Sequence, residues 1–252
     1  DFFTNEITPW IDYHIAPNDI AAGYKVRHGI PSDRIQTIGS ARFCGEWQDV
    51  LGCIVPDGGI PENISDRLNV VYMERGADLH GPHRETIRQA IERVAALDYV
   101  HLAIKPHTRS DRLLEAQMPI SATLAADANS VRLIDWADAV IGTNSSILVD
   151  VLIRGKVLVY PRFFHEDRMV FHEMNACATA EGSQDLESIL HRLYHDRSWT
   201  SYYKREHVEA LITTIVYAGD RGRDVLGECC LFIDEIATER LSIPTPQPSH
   251  EV

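Results

Sequence analysis

Two short polar clusters, each directly behind an apolar run, hold the residues best suited to chemistry. The first is Lys105-Pro106-His107-Thr108-Arg109, which follows the run Tyr99–Lys105. It offers two fixed cations and an imidazole, a set that binds a diphosphate or phosphodiester through charge-assisted hydrogen bonds. His107 could also act as an acid toward a leaving phosphate. The second is Thr143-Asn144-Ser145-Ser146, set between Ala139–Gly142 and a helical pattern with Ile147, Leu148, Val151 and Leu152 on one face. Hydroxyls and free backbone N–H groups at a helix start suit a phosphate. Each cluster has a plainer counterpart: a solvated basic turn for the first, an ordinary N-cap by Asn144 or Ser145 for the second.

Two further loops carry candidate residues. Glu74-Arg75-Gly76, with Asp78 and His80, follows the run Leu68–Met73. Gly76 lets the backbone approach a ligand, and Glu74 or Asp78 could serve as a base. A plain polar loop accounts for the same composition. Phe164-His165-Glu166-Asp167-Arg168, with His172 and Glu173, follows the run Lys156–Tyr160. His165, Glu166 and His172 invite a metal reading, but their spacing is not HExxH and no metal is expected. A loop that touches a sugar or a base fits this position better. The phosphate fingerprints GxGxxG and Walker A are both absent, which argues against a dinucleotide dehydrogenase and a P-loop ATPase.

The elements that must position these loops alternate. Strands are expected at Ile11–Ala16, Ile35–Gly39, Leu68–Met73, Tyr99–Lys105, Ala139–Gly142 and Lys156–Tyr160, with weaker ones at Val131–Ile134 and Ala176–Ala178. Helices are expected at Asp19–His28, capped by Asn18 or Asp19 and ended by Gly29, at His83–Leu97, and from Ser183 to His195. A short one is expected at Asp111–Met118 and two more at Ser201–Tyr217 and Val225–Ala237. Nearly all-apolar strands signal a sheet covered on both faces. The alternation from 68 to 195 predicts an α/β fold with a doubly wound, Rossmann-like parallel sheet. Ligands of such sheets lie outside the carboxyl ends of the strands, where three of the loops would meet.

The chain has 252 residues, 44% of them hydrophobic, and a net charge of −13. That is globular composition, and it argues against a generally basic nucleic-acid-binding surface. No long apolar run and no signal peptide is visible. The five cysteines are odd in number and form no CxxC pair, so neither a disulfide framework nor a structural zinc is expected. Pro56, Asp57, Gly58, Gly59, Pro61 and Asn63 mark a linker. Residues 1–55 read as the end of an N-terminal domain whose beginning lies upstream, 66–200 as the main domain, 201–241 as C-terminal helices, and 242–252 as a disordered tail.

Taken together, strand–KPH–R and WADAVIGTNSSILVDVLIRGKVLVYP resemble the C-terminal half of GT-B-fold transferases of bacterial surface-carbohydrate assembly. The likeness is to CDP-glycerol glycerophosphotransferases, capsule-type Kdo transferases and bacterial sialyltransferases. His107 matches the His of that group's His-Pro motif, and Ser145-Ser146 matches its Ser-Ser or Ser-Thr pair. The stretch His28–Arg42 resembles the place where the N-terminal GT-B domain ends. One departure is that Pro106 precedes His107 and Thr108 follows it. The resemblance implies a nucleotide-sugar or CDP-polyol donor as substrate, with no separate cofactor, and a carbohydrate or lipid-linked acceptor. Lys105, His107, Arg109, Thr143, Asn144, Ser145 and Ser146 would hold the donor phosphate. His107 and Glu74 would act in catalysis, while Arg75, Gly76, His165 and Glu166 would face the sugar or base. It also implies a missing N-terminal domain, no nucleic acid, and a cytoplasmic site of action, with peripheral association at the inner face of the membrane left open. A UDP-sugar 2-epimerase of the same fold and a non-enzymatic α/β binding module are the alternatives.

Overall fold

The computed structural model describes residues 11–75, 82–107, 119–166 and 169–241. The chain divides into two compact units, Asp1–Leu51 with Thr213–Val252, and Gly52–Ile212.

The larger unit is built on a six-stranded sheet: β3 (Leu68–Met73), β4 (Val100–Lys105), β5 (Thr123–Leu124), β6 (Ala139–Gly142), β7 (Val157–Pro161) and β8 (Ala178–Ala180). Their order is β5-β4-β3-β6-β7-β8, and every neighbouring pair is parallel. Every residue of β3, β6 and β7 is buried, as nearly all-apolar runs require when helices cover both faces. Each buried large aliphatic side chain contributes about 1.5–3 kcal/mol, so these central strands hold the unit together. The chain leaves β3 through α3 (Arg84–Ala95) to β4 and β5 on one side. It returns through α4 (Ser130–Trp136) to β6 on the other side of β3. The sheet therefore switches direction between β3 and β6, which opens a crevice at their carboxyl ends.

Local signals explain most boundaries. On α3, Ile87, Ala90, Ile91 and Val94 are buried at helical spacing. After α5 (Leu148–Ile153), Gly155 takes a φ of +64°. Gly155 N–H then donates to Leu152 O and Lys156 N–H to Val151 O, the paired bonds that end a helix on a left-handed residue. Helix α7 (Ser183–His195) buries Leu186, Ile189, Leu190 and Leu193.

Three expectations are corrected. Val131–Ile134 belongs to helix α4, not to a strand. The Asn129 side chain caps it by accepting from Val131 N–H at 2.8 Å, and Val131, Leu133 and Ile134 are buried. A short apolar run has no periodicity that separates the two states, and the cap decides. The last strand is Ala178–Ala180, two residues later than expected. Asn175 is left-handed (φ 53°), and Ala176 N–H donates to Phe171 O at 2.8 Å. Residue 176 is thus spent in closing the short helix α6 (Val170–Glu173). Residues 201–217 are not one helix, because a 3-10 turn at Trp199–Ser201 precedes α8 (Arg205–Val216). The expected helix at 111–118 lies outside the described residues.

In the smaller unit, β1 (His14–Ala16) pairs in parallel with β2 (Ile35–Thr37) through α1 (Asp19–Arg27). The Asn18 side chain caps α1 by accepting from Ala21 N–H at 2.9 Å. Helix α9 (Val225–Leu241) belongs here as well. Gly39 has a φ of +127°, and a Cβ there would lie 2.4 Å from Val216 O. The chain can pass so close to Val216 only as glycine, and Ser40 N–H donates to that same carbonyl at 2.8 Å. The helix α2 (Gly45–Ile54), absent from the sequence reading, runs across the boundary between the units.

Candidate nucleotide-binding site

The sheet register brings three of the predicted loops together. Met73 pairs with Lys105 on one side and with Gly142 on the other. The segments that begin at Glu74, Pro106 and Thr143 therefore leave three adjacent strands at one level, beside the switch point. Glu74 N–H donates to Lys105 O at 3.0 Å, which extends the ladder one residue past the strands. Glu74 is 6% exposed, while Arg75 and His107 are half-buried. Gly76, Thr108, Arg109, Asp78 and His80 lie outside the described residues.

Lys105 is engaged within its own loop region, because its ammonium donates to Ala126 O at 2.7 Å. Burial lowers its pKa from the ordinary lysine value, and the neighbouring Asp127 carboxylate pulls the other way.

The turn after β6 is built around a close approach. A Cβ on Gly142 would meet Leu148 Cδ2 at 2.6 Å, so the loop lies close on the first turn of α5 and a larger residue there would have to displace the Leu148 side chain. Thr143 is fully buried, and its hydroxyl has no hydrogen-bond partner among the described residues. Asn144 is exposed with a φ of 21°. Ser145 is half-buried and Ser146 exposed. The plain-cap reading does not hold, since the residue before α5 is Ile147 and no side chain caps the helix. A buried hydroxyl without a partner costs about 1–3 kcal/mol, a cost that a bound oxyanion relieves.

The loop after β7 reaches the same region from the far side of β6. Phe164 is buried and stands edge-on to Tyr72 of β3, with ring centroids 6.2 Å apart. This contact spans β6 and fixes the 3-10 turn Arg162–Phe164 over the sheet. His165 follows, half-buried, its ring 5.5 Å from that of Tyr160, and Glu166 is exposed. His172 is drawn away from this loop, with Nδ1 2.9 Å from the Thr179 hydroxyl. Among the described residues no three His, Cys, Asp or Glu side chains gather as a metal-binding group. The sequence reading named Phe164 only as the start of a loop and missed its contact with Tyr72. Their apolar character marks them as core, and only the sheet order shows that they tie two loops together.

No protein-family model matches the chain, and no curated protein matches it in sequence. Solved structures do match in fold. Two structures of the wall teichoic acid polymerase TagF, one soaked with CDPG, are 16% and 17% identical with TM-scores of 0.55 and 0.58. They align over 94% and 95% of this chain and 61% of theirs. The UDP-GlcNAc 2-epimerase of Methanocaldococcus jannaschii, in complex with UDP-GlcNAc and UDP, is 14% identical with a TM-score of 0.50 over 81% of this chain and 60% of that one. Anabaena HepE in complex with UDP is 13% identical with a TM-score of 0.50 over 93% of this chain and 66% of that one. The chain thus spans about three-fifths of the TagF length (61%). It shares with these proteins a GT-B-like, Rossmann-type α/β fold.

Proposed function

We propose that this chain carries the donor half of a GT-B-type transferase, binding a nucleotide-activated sugar or polyol phosphate at the carboxyl ends of β4, β3 and β6. The observation that carries the reading is the convergence of three polar loops at the switch point, among them the buried Thr143 hydroxyl, which has no hydrogen-bond partner among the described residues. Neighbours of the same fold whose structures hold CDPG or UDP support a nucleotide ligand of this kind.

In this reading His107 and Arg109 bind the donor phosphates by charge-assisted hydrogen bonds, and Thr143, Ser145 and Ser146 bind them through hydroxyls. Lys105 assists through its charge. A chain of net charge −13 needs such a local concentration of cations to attract a polyanion. His107 also stabilises the leaving nucleotide phosphate as the donor bond breaks. Glu74, at the crevice floor, is the candidate base, and His165 and Glu166 face the sugar or base. The proposed acceptor is a carbohydrate or a lipid-linked acceptor. No helix among the described residues is long and apolar enough to cross a membrane. The function proposed for the whole protein is glycosyl or glycerophosphoryl transfer in surface-polysaccharide or glycoconjugate synthesis.

Titration calorimetry with CDP and UDP tests the reading. His107→Ala is expected to weaken the better ligand by about tenfold or more, the worth of one charge-assisted hydrogen bond. Unchanged affinity in that variant, in a folded protein, would sink the assignment. The epimerase likeness keeps a second reading, 2-epimerisation of a UDP-sugar on the same site. Incubation with UDP-GlcNAc and identification of the product, the UDP-linked 2-epimer for an epimerase, separates the two.

A further inference from the structure

A separate cavity of about 310 Å³ lies at the opposite end of the sheet. It sits where β8 begins, between the α6–β8 connection and the second half of α7, with His172, Thr179, Ile189, Arg192 and Tyr202 in its walls. Helix α7 follows the carboxyl end of β8 and runs back along it, so Ile189 and Arg192 stand toward the strand's amino end. The loops assigned to the donor leave the carboxyl ends of β3, β4 and β6. The two regions therefore belong to opposite rims of one sheet.

The cavity wall combines a cation with neutral hydrogen-bonding groups and an apolar floor. The Arg192 guanidinium lies over the Tyr202 ring, 5.4 Å from its centroid, which holds the fork in place before any ligand arrives. Arg192 makes no ion pair among the described residues. The nearest acid along the chain, Asp196, stands behind the cavity wall: its carboxylate accepts from the hydroxyl of Ser201, a wall residue, at 2.5 Å and from Ser198 N–H at 3.0 Å, which satisfies it within its own turn. The Thr179 hydroxyl and His172 Nδ1 stand 2.9 Å apart on the β8 side. Burial pushes the Cys177 thiol up to about 12, so it contributes no negative charge to this wall at neutral pH. Ile189, 2% exposed, supplies the floor. The volume sits at the small end of the range for ligand sites, about 300–1,000 Å³.

We propose that this cavity is a second binding site, for a small ligand bearing a carboxylate or phosphate, with Arg192 as the group that binds the oxyanion. A bidentate fork on a planar carboxylate or a phosphate is the use to which a stacked guanidinium with no ion pair among the described residues is best suited. The apolar floor favours an organic anion with a short hydrocarbon body. Nothing in this proposal depends on what binds at the other rim.

Methyl NMR on the full chain tests it, with the Ile189 resonance as reporter and inorganic phosphate and succinate as the probes. At least one probe is expected to shift that resonance saturably. Arg192→Gln is expected to weaken the response about tenfold or more. Arg162→Gln, which removes a cation paired with Glu181 outside this cavity, is expected to leave it unchanged. A response to phosphate alone assigns a phosphorylated ligand, and one to succinate alone a carboxylate. No saturation by either probe, or equal loss in both variants, would overturn the proposal. CDP and UDP binding, read separately by calorimetry, is expected to survive Arg192→Gln.

Discussion

Glu74 N–H donates to the Lys105 carbonyl at 3.0 Å, one step beyond the last paired residues of β3 and β4. This bond carries two of the candidate loops off the sheet together and sets the candidate base beside the basic cluster. Beyond it, Lys105 and His107 of that cluster part. The Lys105 ammonium is turned to Ala126 O, whereas His107 follows the strand into the crevice region. Lys105→Met is therefore expected to cost less nucleotide affinity than His107→Ala, while lowering stability through loss of the Ala126 bond. Calorimetry and urea unfolding of the two variants check this, and an equal affinity loss would return Lys105 to direct phosphate binding.

Thr143→Val exchanges a buried hydroxyl, without a partner among the described residues, for a methyl of the same shape. The ligand-free protein is expected to gain about 1 kcal/mol of stability, because a desolvated hydroxyl is no longer left unsatisfied. The same variant is expected to bind CDP or UDP several-fold more weakly. Opposite signs in the two measurements distinguish a ligand-binding hydroxyl from a structural one, which would lose stability on substitution.

Gly39 and Gly52 make a matched pair. A Cβ on Gly39 meets Val216 O at 2.4 Å with φ at +127°, whereas nothing lies within 4 Å of one on Gly52, inside α2. Gly39→Ala is expected to destabilise by more than about 2 kcal/mol. Gly52→Ala is expected to stabilise by about 0.5–1 kcal/mol through helix propensity. Denaturant midpoints of both variants check the contrast.

Cys177 links stability to alkaline pH. Its thiol ordinarily titrates at 9.0, and burial in the fold pushes it up to about 12. Between those values the unfolded state binds fewer protons than the folded one. The contribution is therefore complete below pH 9 and lost progressively as pH rises toward 12. Cys177→Val is expected to flatten the decline in that window. Alkylation of the native protein near pH 8 is expected to reach the exposed Cys53 and Cys230 well before the buried Cys177. Peptide mapping reads that order directly.

Arg132 holds the linker that leads into the larger unit. Its guanidinium donates to Gly52 O at 3.0 Å and Val55 O at 3.1 Å, and pairs with Asp57 at 2.8 Å. Arg132→Ala is expected to open residues 52–60 to limited proteolysis several-fold faster than in the parent. Cleavage at an unchanged rate would show that the linker is held by other contacts, such as the close packing of Gly59 on Ala128.

Residue order alone determined the α/β class, the buried central strands and the two polar clusters at their ends. Nearly all-apolar runs such as Leu68–Met73 declare a strand covered on both faces, and Gly155 declares the end of its helix, because both signals are local. The readings failed where local signals are ambiguous: the run Val131–Ile134 turned helical because Asn129 caps it, and β8 slid by two residues because Asn175 closes α6. Tertiary structure decided the rest, because strand order is a property of pairing between distant segments. Only the order β4-β3-β6 sets Glu74, His107 and Thr143 just past the ends of adjacent strands, leaves the Thr143 hydroxyl buried with no partner among the described residues, and lets Phe164 reach Tyr72 across β6. It likewise brought Arg192, Tyr202 and His172 around a cavity that no spacing in the chain foreshadows, since these residues come from three separate segments joined only by packing.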